Sequence, residues 1–102
     1  MSREELIESL KVEISKLESL VSQSSSNVGS RGPTLDILSD ISRKLSSKGV
    51  DMNDFDAIAS SLIRNFDSLR EFVVGDMCKY SALESSVERI SKLRSLAKDH
   101  PA

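Results

Sequence analysis

The residue types that most often do chemistry are few in this chain and widely spaced. The one cysteine, Cys78, stands beside Lys79, whose ammonium would lower the thiol's pKa and raise its reactivity. It also falls at an outward helical position, where an ordinary thiol is the simpler reading. The one histidine, His100, is next to Pro101, with no second histidine or cysteine near it to share a metal ion. Gly29-Ser30-Arg31-Gly32 precedes a helix, as phosphate-binding loops do. It lacks both a preceding strand and a Lys-Ser/Thr pair, so it reads as linker. Asp51, Asp54 and Asp56 miss the spacing and the glycine of a calcium loop and read as helix-capping acids. Arg89, Lys92, Arg94 and Lys98 could meet phosphates. Glu84 and Glu88 lie close by and no aromatics are interleaved, so this run reads as a solvated or helix-pairing face. Catalytic, cofactor-binding and metal-ligating residues are therefore expected to be none, and the chain is read as a non-enzyme.

Serine makes up about a fifth of the residues, and Arg43-Lys44-Leu45-Ser46 has the basic approach that many kinases prefer. A phosphate there, near a helix C-terminus, would oppose the helix dipole, and the Ser22–Ser26 cluster is a second accessible stretch. The chain is thus a candidate phosphoprotein.

The totals narrow the class. The 102 residues include four aromatics and no tryptophan, which suits buried stripes better than a round core. A net charge of −2 gives no global positive field for nucleic acid or an anionic membrane. The longest apolar run, Phe72 to Val74, is far too short to span a bilayer, and the acidic start Ser2-Arg3-Glu4-Glu5 does not resemble a leader peptide. A lone cysteine fits a reducing compartment, so the expected location is cytoplasmic or nuclear.

The elements that would position any site are helices. Ser2 and Glu5 form a capping box ahead of a first helix ending near residue 21. Its apolar seam is Ile7, Leu10, Ile14, Leu17 and Val21 at spacings of three and four, as in a coiled coil, widened by Leu6 and Leu20. Residues 22–33 read as a flexible Ser/Gly linker. A second helix, 34–48, carries Leu35, Leu38, Ile41 and Leu45 and ends at Lys48-Gly49, with Val50 placed for a Schellman contact. Asp51 or Asn53 caps a third helix. From Phe55 to Ala97 the three–four rhythm then runs on through Gly75-Asp76, placing Asp76 and Arg94 on the seam. The unbroken rhythm predicts one long helix over 53–98, roughly 65–70 Å long, with a two-helix alternative broken at Gly75. Residues 99–102 form a tail.

Segment charge suggests the pairing. Residues 1–21 hold five acids against three bases, and residues 51–76 six against two, whereas residues 77–99 hold five bases against three acids. The acidic first helix thus complements the basic C-terminal stretch. Helix 2 is expected to lie antiparallel on residues 55–70, with helix 1 continuing in line along Tyr80 to Ala97. A parallel homodimer through helix 1 is disfavoured, because Glu13 and Glu18 would face each other.

Around residues 58–77 the flanking Ile58, Ile63, Phe72 and Met77 make a band wider than one helix covers, which predicts self-association or a protein partner. The expected fold is all-α: an elongated antiparallel helical hairpin or coiled-coil bundle with one long C-terminal helix, self-associating. Its interaction core would be Phe55, Leu62, Phe66, Leu69, Phe72, Val73, Met77 and Tyr80, and its second seam Ile7, Leu10, Ile14 and Leu17. The function that follows is a helical protein–protein interaction and oligomerisation module, a subunit or scaffold of an assembly. The alternative is a small regulator, chaperone or inhibitor that binds one target through an apolar helix face. Protein partners are expected, whether a second copy or other helices, with nucleic acid disfavoured and no membrane span.

Overall fold

The computed structural model describes residues 2–24, 28–47 and 49–99, and every regular element among them is helical. Five α-helices follow one another: α1 Arg3–Ser22, α2 Val28–Ser46, α3 Met52–Arg64, the single-turn α4 Phe66–Arg70, and α5 Met77–Lys98. A 3-10 turn, Glu71–Val73, links α4 to the reversal before α5. The expectations for Lys48, His100 and residues 25–27 lie outside the described residues.

Helix starts follow the expected capping chemistry. Ser2 Oγ accepts the Glu5 N–H at 3.2 Å and the Glu5 carboxylate accepts the Ser2 N–H at 3.4 Å, closing the capping box of α1. Asp51, not Asn53, caps α3, in a reciprocal box with Asp54. Gly49 takes φ +89°, the left-handed geometry of a helix-ending glycine, and Leu45 and Val50 on either side of it are both buried.

The long helix over 53–98 does not form. At Asn65 the chain leaves α3, and after α4 and the 3-10 turn Val74 is extended and Gly75 adopts φ +82°. An α-helix has no place for that φ, and the Asp76 carboxylate then accepts the Lys79 N–H at 3.1 Å, starting α5 afresh. Asp76 is therefore a cap rather than a buried seam residue. The chain reverses, and α5 runs back along α3, as the Phe66–Tyr80 edge-to-face ring pair at one end and the Arg94–Asp56 ion pair at the other require.

Two further expectations are corrected. The linker over 22–33 is shorter than the composition implied: α1 runs to Ser22 and α2 begins at Val28, taking in Gly29, Gly32 and Pro33. Pro33 lies within the second turn, where its missing N–H removes one helical hydrogen bond, while the Arg31 guanidinium folds back to donate to the Ser24 carbonyl at the end of α1. Helix 2 also does not lie chiefly on residues 55–70. It packs on α1, and α3 packs on α5.

The four longer helices make an up-down-up-down bundle in which α1 is central, flanked by α2 and α5. The Glu13–Arg89 ion pair and a Lys79 Nζ to Gln23 carbonyl hydrogen bond of 3.4 Å fix α1 antiparallel to α5. This is the pairing that segment charge predicted. At the opposite end Arg3 Nε donates to the Val50 carbonyl at 2.7 Å, tying the start of α1 to the start of α3. The principal extents are 42 × 23 × 18 Å, too short for the expected rod. The accessible surface, 6041 Å², is close to the roughly 5,700 Å² of a compact monomer of this mass.

Candidate functional site

Most of the expected interaction core lies inside the chain's own core. Phe55, Leu62, Leu69, Phe72 and Val73 are buried, and Phe66 and Tyr80 are partly buried against them. Only Met77 stands out into solvent, at 78% exposure. The reversal at Gly75 explains this: α5 covers the face of α3 that a continuous rod would have presented to another chain. The second seam is buried in full, with Ile7, Leu10, Ile14 and Leu17 joined by Leu6 and Val21 between α2 and α5. The wide band that suggested self-association is thus largely covered from within.

The residues weighed for chemistry are dispersed. Cys78 is exposed. Asp51 and Asp54 cap α3, and Asp56 accepts from Arg94 Nε at 2.7 Å. Arg94, expected on the seam, is therefore a partly exposed interhelical ion-pair residue. The Ser46 hydroxyl donates to the Ser42 carbonyl at 3.1 Å and remains exposed. Among the described residues no three His, Cys, Asp or Glu side chains converge as metal ligands, and no helix is long and apolar enough to cross a membrane.

Two of the concave surfaces that carry exposed apolar side chains lie between helices. The first is a groove of about 400 Å³ between α1 and α5. Its apolar floor is Val12, 52% exposed, and the buried Leu93, while Lys16, Arg89 and Lys92 stand around it. Glu13 lies within this surface with only 4% of its side chain exposed. Its carboxylate accepts from Arg89 Nε and pairs with Lys16 Nζ at 3.3 Å. Arg89 also donates from Nη2 to the buried Ser86 hydroxyl at 3.5 Å. A buried carboxylate would be costly alone, and two cations with their heads near solvent compensate it while fixing how α1 sits on α5.

The second surface is a cleft of about 210 Å³ where α2 fails to close on α3 and α4. Ile37, Leu38, Ile41, Leu62 and Leu69 line it, with Thr34, Asn65 and Ser68 at the edge. Ile37 is 56% exposed. The cleft exists because α2 lies on α1, leaving one side of the bundle open.

Neither surface was foreseen as a site. Val12 and Ile37 fall off the apolar stripes of their own helices, and an isolated large apolar residue on an otherwise polar face is the signal that could have found them. Arg89 and Lys92 belong to the basic run that reads in sequence as a solvated or helix-pairing face. Arg89 does pair across helices, and Lys92 borders the groove. No protein-family profile, curated protein or solved structure matches the chain.

Proposed function

We propose that this chain is a non-enzymatic helical protein–protein interaction and oligomerisation module, a subunit or scaffold of a multi-protein assembly. The observation that carries this reading is the cleft between α2 and α3–α4, lined mainly by apolar side chains that include the half-exposed Ile37. A bundle with one unclosed side gains apolar burial when a helix from another chain lies in it, the helix-in-groove mode of recognition. A second copy is the first occupant to test, because it would bring the same apolar cleft to a self-complementary contact. A cytoplasmic or nuclear setting belongs to the same reading, since the exposed Cys78 thiol suits a reducing compartment.

Sedimentation of the whole chain over a wide concentration range tests it, alongside Ile37→Lys. That substitution replaces a half-exposed side chain with a good helix former and leaves the core intact. The wild-type mass should rise above 11.2 kDa with concentration, and the variant should stay a single chain with unchanged circular dichroism. A wild type that remains a single chain throughout ends the oligomerisation reading. Association that Ile37→Lys does not weaken moves it away from the cleft.

The α1–α5 groove favours a second reading, in which the chain is a small regulator, chaperone or inhibitor of one target protein. Its cations and apolar floor form a surface complete within one copy, able to receive a partner without self-association.

A further inference from the structure

We propose that the groove between α1 and α5 receives the acidic amphipathic helix of a partner protein. The inference rests on the interaction-module reading and names the chemistry of the partner at one of its surfaces. The chain as a whole carries a net charge of −2, yet Lys16, Arg89 and Lys92 converge on this groove against one acid, Glu13. The Glu13 carboxylate is already covered by Arg89 and Lys16, so it offers little repulsion to an incoming anion. The Arg89 and Lys16 side chains are still 47% and 50% exposed, which leaves both able to contact a ligand.

Charge alone would suit any polyanion, and the floor narrows the choice. The half-exposed Val12, backed by the buried Leu93, adds apolar lining to the cations, which suits a helix that carries apolar residues at i, i+3 or i+4, and i+7 and acids on its flanks. A phosphate backbone would leave Val12 uncovered, and no aromatic side chain lines the groove for a base to stack on. The chain's own acidic helices, α1 with five acids and α3 with Asp54 and Asp56, turn their main apolar faces into the core, so a second copy does not present this ligand from either.

The probe is a fluorescein-labelled helical peptide with leucines at those positions and glutamates elsewhere, titrated with the full chain by anisotropy. Its controls are a twin with lysine for glutamate and a glutamate peptide without leucines. The acidic amphipathic peptide should bind, and its affinity should fall as salt screens the cations. Lys92→Glu, which reverses one exposed charge, should weaken it about tenfold. Val12→Ser, which removes apolar contact without touching charge, should weaken it about fivefold. Equal binding by the lysine twin or by the leucine-free peptide overturns the proposal. So does displacement by a single-stranded oligonucleotide whose own binding ignores Val12→Ser, or self-association that Lys92→Glu abolishes while no peptide binds. If Ile37→Lys removes peptide binding and Lys92→Glu spares it, the partner lies in the other cleft; the proposal then fails and the interaction-module reading stands. Both fail if no peptide binds and the chain sediments as a monomer.

Discussion

Leu10 tests whether α1 is the centre of the molecule or a peripheral seam. Its side chain is fully buried in a helix flanked by α2 and α5. Leu10→Ala removes three carbons and leaves a cavity that rigid helices on two sides fill poorly, at a cost of about 3 kcal/mol. A chain of 102 residues has a total stability of about 5–15 kcal/mol. Its unfolding entropy near the midpoint is about 0.2 kcal/mol/K, so the loss corresponds to a fall in Tm of about 14 °C. Thermal unfolding followed by circular dichroism reads this directly, with Val12→Ala on the exposed side of the same helix as control, expected to move Tm by no more than about 2 °C. The transition should remain single, because removing support from α1 loosens α2 and α5 together. A shift below about 3 °C, or a split into two transitions with α3 and α5 melting separately, would refute a central α1.

The glycines give a paired prediction. Gly75→Ala should destabilise by about 1–2 kcal/mol, because φ +82° is strained for a residue with a Cβ; Gly29→Ala, in the first turn of α2 with open space around it and no proline next to it, should stabilise by about 0.5 kcal/mol. Urea midpoints of the two variants should therefore move in opposite directions. Arg89→Ala leaves the Glu13 carboxylate buried with Lys16 alone and should cost about 1–2 kcal/mol, held to that range because Arg89 is half exposed. Replacing Glu13 as well, by leucine, should recover most of the loss, measured as the coupling in a double-mutant cycle.

Local rules were legible in the sequence wherever one residue type has one strong physical reason to stand where it does. Ser2 with Glu5 and Asp51 with Asp54 satisfy helix-terminal N–H groups that have few other partners, and Gly49 takes the positive φ that ends a helix, so their roles transfer directly to the structure. The seam of α1 was legible for a related reason: five apolar residues in one phase have no solvent-facing alternative. Leu6 carried more information than it was given. A stripe widened on one side points to two helical neighbours rather than one, and α2 with α5 supplies them. The charge pairing between helix 1 and the C-terminal stretch also survived, through Glu13 and Arg89. What charge could not fix was the place of α2, whose one excess positive charge gives a weak preference and whose Gly29, Gly32 and Pro33 concealed a helical start.

The long rod failed because periodicity has a phase only within one helix. Across a loop the phase of the next helix is free, and a continuous three–four count arises by chance about once in three or four cases. Gly75-Asp76 held the better signal, a helix-ending glycine followed by an N-cap acid, and each takes that role. The count also treated α5 as having one seam. Its buried positions are Leu83, Ser86, Ile90, Leu93 and Ala97, with Tyr80, Val87 and Arg94 only partly covered. Two neighbours explain the difference: Tyr80 and Arg94 meet Phe66 and Asp56 on the α3 side, while Arg89 reaches Glu13 on α1 and donates to the buried Ser86 hydroxyl beside it. A serine buried in a helix reads as surface until the second neighbour is known. The groove stays hidden for the same reason, since Leu93 and Val12 stand outside the seams and come together only when α1 and α5 are set side by side. Folding the chain back on itself covers most of the apolar band that suggested a partner, and it creates the basic groove for which we propose one.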